Sequence, residues 1–146
     1  MGVTDVQTRE DVERLVRAFY AKALTDPQIG FLFTDIAKLD LEEHVPQIVN
    51  FWSTMLLGDR SYGGGAFGVH AHLHAKAPLR SGHFQRWLTL WHGTVDELFA
   101  GPVADEAKRH ATRVAGAFER RLQDPLAPVV NADLAPGLTV SLHGPR

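Results

Sequence analysis

The chain has no cysteine among its 146 residues. That excludes disulfide bonds, thiolate metal sites and cysteine nucleophiles, and it is compatible with a cytoplasmic location. Charge of one sign is also lacking: 15 Lys and Arg against 17 Asp and Glu leave a net charge of −2. With no basic block, neither nucleic acid nor an anionic membrane is expected as the main partner. No apolar run approaches the roughly 18 residues that cross a bilayer. Met1 to Glu10 is polar and lacks the apolar segment of a signal peptide. Internal repeats, heptad arrays and a convincing strand pair are absent as well. What is present is ordinary globular composition, 45% hydrophobic and 22% charged. A chain of this size forms one domain that buries roughly two-thirds of its unfolded surface. It also carries eight histidines, of which His70, His72 and His74 sit together.

Helical periodicity dominates. Thr8 can cap a first helix, with Asp11 placed to return the bond. Val12, Leu15, Val16, Phe19, Tyr20 and Ala23 then recur as one apolar stripe. Asp26-Pro27 ends it, and Phe31, Leu32 and Phe33 follow as an apolar knot. A second helix is expected from about Asp40 to Leu57, stopped by Gly58, with His44, Ile48, Phe51, Trp52 and Met55 on one face. Pro46 makes either a late start or a bend. Gly58 to Gly68 reads as a glycine-rich loop, and His70 to Pro78 as a short helix. Ser81 is the expected cap of a third long helix carrying Phe84, Trp87, Leu88, Trp91, Val95, Leu98 and Phe99. After Gly101-Pro102 a fourth carries Val103, Ala107, His110, Ala111, Val114, Phe118 and Leu122. Residues 1–123 thus form an all-α domain, helix on helix, and 124–146 an irregular Pro/Ala/Gly-rich tail.

Three polar side chains fall on these apolar stripes: Tyr20, His44 and Trp87. Each must find a hydrogen-bond partner or leave a polar group costing about 1–3 kcal/mol. Singly, each reads as a satisfied core residue. Together they are three donors from three helices able to share one space. His70 and His74 are at i and i+4 and share a helix face, enough for a two-histidine metal clamp or for a solvated helix start. A histidine after a flexible loop, facing apolar walls with donors opposite, is also what a haem pocket requires. Phe19, Phe31, Phe33, Ile48, Phe51 and Trp52 can supply such walls.

These residues resemble group III truncated haemoglobins. The likeness runs colinearly from Arg9 to Leu122. It rests on Phe19-Tyr20, Phe31-Leu-Phe33, the stretch His44 to Gly58, Tyr62-Gly63, His70-Ala-His-Leu73 and His83-Phe84-Gln-Arg-Trp87-Leu88. The combination of Phe-Trp ending in Leu-Leu-Gly with a later His-Phe-x-x-Trp-Leu is its most specific part. The resemblance implies a shortened globin fold, a two-over-two helical sandwich around haem b. His70 would be the proximal iron ligand, with His72 as competitor. Tyr20, His44 and Trp87 would be the distal donors, and Phe33, Ile48, Phe51, Trp52 and Trp87 would contact the haem. It departs from the family at Ala66-Phe67, where a proline-containing pair is expected, and at Pro46. Dioxygen, nitric oxide and carbon monoxide are the expected ligands, an unidentified reductase the electron source, and the state a monomer or weak homodimer. Several distal donors would hold dioxygen tightly, which favours nitric-oxide or peroxide chemistry over transport. Lys76 and Arg80 are candidates for the haem carboxylates. The rivals are a histidine-based non-haem metal protein, for which Glu42, Glu43 and His44 cannot share one helix face, and a cofactor-free interaction module.

Overall fold

The computed structural model describes residues 3–64, 70, 74 and 76–123. The expected tail, His72 and the loop stretch 65–69 lie outside the described residues. Among the described residues there is no strand, and no helix is long and apolar enough to cross a membrane.

Helix α1 spans Arg9–Ala23. It starts where expected because Thr8 Oγ1 accepts the Asp11 N–H at 3.1 Å while the Asp11 carboxylate accepts the Thr8 N–H at 3.1 Å. Two otherwise unpaired donors are thereby satisfied reciprocally. Val12, Leu15, Val16, Phe19 and Ala23 are buried, the apolar stripe read from the sequence. Asp26 then organises the turn. Its Oδ2 accepts the N–H groups of Gln28 and Ile29 at 2.9 and 3.1 Å, and its Oδ1 accepts Nε and Nη2 of Arg86 at 2.9 and 2.7 Å.

A short π-helical segment, Leu32–Ile36, follows. The apolar knot expected here does not form as a unit. Leu32 is buried, Phe33 half-buried and Phe31 41% exposed. Successive residues on a helical turn point in different directions, so three in a row cannot all face inward.

Helix α2 spans Leu41–Leu57, capped by Asp40 and stopped by Gly58 in the left-handed region at φ 77°. It begins ahead of Pro46, not at it. Two contacts hold its first turn: Arg17 grips Glu42 through Nη1 and Nη2 at 2.9 and 3.1 Å, and Asp40 accepts the Glu43 N–H at 3.4 Å.

His70, His74 and Lys76 are helical. The His74 Nδ1 accepts the Leu79 N–H at 2.8 Å and so closes the turn leading to helix α3, Ser81–Leu98. Ser81 does not cap α3, contrary to expectation. It lies inside the first turn, and His83 Nδ1 accepts the Arg80 N–H at 3.0 Å instead. Phe99, expected on this helix, sits just past its end and is buried in extended backbone.

Helix α4 spans Pro102–Gln123. Its cap comes from the far end of the chain: Asp5 accepts the Val103 and Ala104 N–H groups at 2.9 and 2.8 Å. In the packed molecule α1 lies against α2 and α3, while α4 lies against α3 and α2. Trp91 joins α3 to α4, its indole N–H donating to the Ala107 carbonyl at 3.2 Å within the core.

Candidate ligand and cofactor site

The site is built around Phe19. This fully buried ring on α1 makes edge contacts with Tyr20 at 5.1 Å, with Trp87 at 5.7 Å and with Trp91 at 5.4 Å. Tyr20 in turn meets Phe33 at 5.6 Å. Two of the three polar residues singled out from the sequence, Tyr20 and Trp87, therefore flank one ring, and the π-helical segment brings Phe33 to the same cluster. Edge-on rings at these distances interact favourably beyond simple burial.

Tyr20 and Trp87 are half-buried. Among the described residues, nothing lies within hydrogen-bonding reach of the Tyr20 hydroxyl or the Trp87 N–H. Desolvation by the surrounding protein pushes the Tyr20 hydroxyl well above the ordinary phenol range, so it remains a protonated donor. Each is therefore a donor that the described protein does not use and that can serve an added acceptor.

His44 behaves differently. Its Nδ1–H donates to the Asp40 carbonyl one turn back, at 3.0 Å. In the neutral ring that tautomer leaves Nε2 an acceptor, not a donor. Ile48, one turn further along α2, is half-buried.

Phe51 and Trp52 are deep in the core, Trp52 only 4% exposed. Trp52 stacks on Trp91 at 4.5 Å with 22° between planes, and Trp91 stacks on Trp87 at 5.8 Å and 2°. Phe51 makes edge contacts with Trp52 and Tyr62, both at 5.1 Å. His70, half-buried, holds its ring 4.9 Å from that of Phe118 on α4. Lys76 and Arg80 are exposed.

Four features were not anticipated from the sequence. Trp91 is the hub of the ring cluster; its spacing of four from Trp87 was the available signal. Phe118 packs on His70, which no local pattern announces. His110, 7% exposed on α4, accepts from Arg113 Nη2 at 2.7 Å and lies 6.1 Å from the Trp52 ring. Ser53 is fully buried with no partner for its hydroxyl among the described residues.

For the non-haem rival, the described residues hold no group of three His, Asp or Glu able to bind a metal. His74 also spends Nδ1 on closing its own turn.

No family model matches the chain. A curated relative, a group 3 truncated haemoglobin of Campylobacter jejuni subsp. jejuni serotype O:2, is 29% identical over 117 residues. The match covers 78% of this chain and 90% of that one. A crystal structure of a group III truncated haemoglobin from Campylobacter jejuni superimposes with a TM-score of 0.73 at 25% identity. It covers 87% of this chain and all (100%) of that one. The chain has a truncated-globin fold, and its resemblance to the group III truncated haemoglobins holds in both sequence and structure over most of its length.

Proposed function

We propose that the chain binds haem b through His70 and holds dioxygen, nitric oxide or carbon monoxide beside Tyr20 and Trp87. The observation that carries this reading is the pair of donors, the Tyr20 hydroxyl and the Trp87 N–H, that flank Phe19 and meet no acceptor among the described residues. The donor set fits the group. A neutral imidazole is a strong axial ligand, half-buried Phe33, Ile48 and Trp87 offer flat apolar surface, and the two donors suit a ligand oxygen that gathers negative charge. Phe51 and Trp52 support the site as core packing.

Haem, when bound, supplies an iron that accepts a diatomic ligand. The protein's own part is to orient and to exclude water. Tyr20 and Trp87 donate to the held ligand, and hydrogen bonds to a charged acceptor are worth about 1.5–3 kcal/mol each. One such bond changes affinity about 10- to 150-fold. Slow release suits a carrier poorly, and it suits chemistry on the held gas, such as conversion of nitric oxide to nitrate or reduction of peroxide with an unidentified reductase as electron source. His44 spends its Nδ1–H on the Asp40 carbonyl, so Tyr20 and Trp87 are the main donors.

The test is an ultraviolet–visible spectrum of the protein, oxidised, reduced, and reduced with carbon monoxide. A Soret band that shifts with carbon monoxide is expected. Absence of a Soret band after haem addition overturns the reading. His70→Ala is expected to yield haem-poor protein; normal haem content there, with loss in His72→Ala, would move the axial ligand to His72.

A further inference from the structure

The chain contains three tryptophans and two tyrosines. All five lie on one unbroken path of ring contacts. Tyr20 touches Phe19 at 5.1 Å, and Phe19 touches Trp87 at 5.7 Å. Trp87 stacks on Trp91 at 5.8 Å and Trp91 on Trp52 at 4.5 Å. Phe51 then joins Trp52 to Tyr62, at 5.1 Å on each side. A tyrosine stands at each end, one at the candidate ligand site and one in the loop after α2.

The outer end is held in place. Asp59 Oδ1 accepts from Thr54 Oγ1 at 3.1 Å and from the Ser61 N–H and Oγ at 3.1 and 2.7 Å. The Thr54 hydroxyl accepts the Tyr62 N–H at 3.2 Å. Both ends of the loop segment are thus pinned to the last turns of α2, which keeps the half-buried Tyr62 ring against Phe51.

Indole and phenol are the side chains most readily oxidised by one electron in a protein without cysteine. Electron transfer between them decays steeply with distance, so rings in van der Waals contact exchange electrons far faster than isolated ones. Phenylalanine is not itself oxidised, but as a bridging ring it shortens the gap through space. We infer that Trp87, Trp91 and Trp52 form an electron relay that carries oxidising equivalents from the ligand site to Tyr62, where a small phenol can reduce them.

The inference rests on the haem reading above, and its oxidant is hydrogen peroxide. The balance is one peroxide and two phenols giving two waters and two phenoxyl radicals. The O–O bond breaks at the ligand site and takes up two electrons and two protons. Electrons move inward along the rings one at a time from Tyr62, whose O–H bond gives up its proton to solvent. Each Tyr62 phenoxyl is restored by one hydrogen atom from an external phenol such as guaiacol.

The experiment uses the full, haem-loaded ferric chain with one equivalent of hydrogen peroxide and a nitroso spin trap, followed by peptide mass spectrometry. Trap is expected on Tyr62 in the parent. In Trp91→Phe the Tyr62 adduct is expected to fall severalfold, with adduct gained at Trp87 or Tyr20. An undiminished Tyr62 adduct in Trp91→Phe overturns the relay. Should that variant lose haem, Tyr62→Phe decides: guaiacol oxidation is expected to slow severalfold with the carbon monoxide spectrum unchanged, and unchanged oxidation overturns the relay. The carbon monoxide spectrum of the parent, recorded first, separates the two ideas. No Soret band removes the haem reading and the relay with it, whereas a normal band leaves only the relay on trial.

Discussion

Tyr20 and Ser53 show how differently two unpartnered hydroxyls can be read. The Tyr20 hydroxyl is desolvated, which raises its pKa and keeps its proton, yet it shares a ring cluster with a second donor, Trp87, through Phe19. Two donors in one ring cluster, without acceptors among the described residues, point to a ligand. Tyr20→Phe removes one donor and keeps the ring that meets Phe33. The dioxygen off-rate, measured by stopped flow, is expected to rise about 10- to 100-fold, in line with one charge-assisted hydrogen bond. An unchanged off-rate would take Tyr20 out of the ligand site. Ser53 stands alone within α2, fully buried and with no acceptor or donor reaching its hydroxyl among the described residues. Ser53→Ala removes an unsatisfied polar atom and inserts a better helix former, so stability in urea is expected to rise by about 0.5–1.5 kcal/mol. A loss of stability would mean that the hydroxyl has an acceptor after all.

At the scale of elements, the ends of the helices separate what is local from what is not. The cap of α1 was legible because Thr8, Asp11 and the stripe from Val12 to Ala23 lie within one stretch of chain. The stop of α2 was legible because Gly58 takes a left-handed φ of 77° that favours glycine. The cap of α3 was misread because Ser81 has the better cap chemistry, whereas the packed structure hands the Arg80 N–H to the ring of His83. The cap of α4 was not legible at all, since Asp5 is 98 residues from Val103. That remote cap explains Gly101. Its φ is +143°, and a Cβ there would come within 2.5 Å of the Asp5 carboxyl carbon. Gly101→Ala therefore strains the backbone and displaces the cap, for an expected loss of about 2–3 kcal/mol. Asp5→Ala is expected to cost about 1–2 kcal/mol by itself. The double variant should fall short of the sum, because the cap can be lost only once, although the alanine methyl still meets the Cβ of residue 5 at 2.8 Å. Strict additivity across this cycle would show that Gly101→Ala does not disturb the Asp5 cap.

On the scale of the whole molecule, the site was read in part for the same reason that the caps were. Tyr20, Trp87 and Phe33 could be named from stripes, but their meeting, and the stacking of Trp52 on Trp91, belongs to the packing of α1, α2 and α3 against one another. Two carboxylates help to hold that packing across long separations in sequence. Asp26 ties the end of α1 to Arg86 on α3, and Asp5 ties the N-terminal segment to α4. The Arg86 guanidinium holds the Asp26 carboxyl below the usual range, and the Gln28 and Ile29 N–H groups reinforce it against burial. For Asp5, burial pushes upward, but the N–H groups of Val103, Ala104 and Val6 outweigh it and the carboxyl is also lowered. The sign follows directly. An unfolded aspartate titrates near about 3.9, and both folded values lie lower, so between them the native state binds fewer protons than the unfolded chain. These contributions are complete above about pH 5 and are lost as pH falls below about 4 through the folded values. The urea midpoint is therefore expected to stay level in this respect down to about pH 5 and then to drop. Asp26→Asn should lower the midpoint at pH 7 and flatten its fall toward pH 3, because the substituted side chain has no proton to take up. A fall just as steep in Asp26→Asn would mean that the pair with Arg86 adds nothing to the acid sensitivity of the fold, leaving the Lys22–Glu97 pair and the rings of Phe19, Trp87 and Trp91 to hold the junction of α1 with α3.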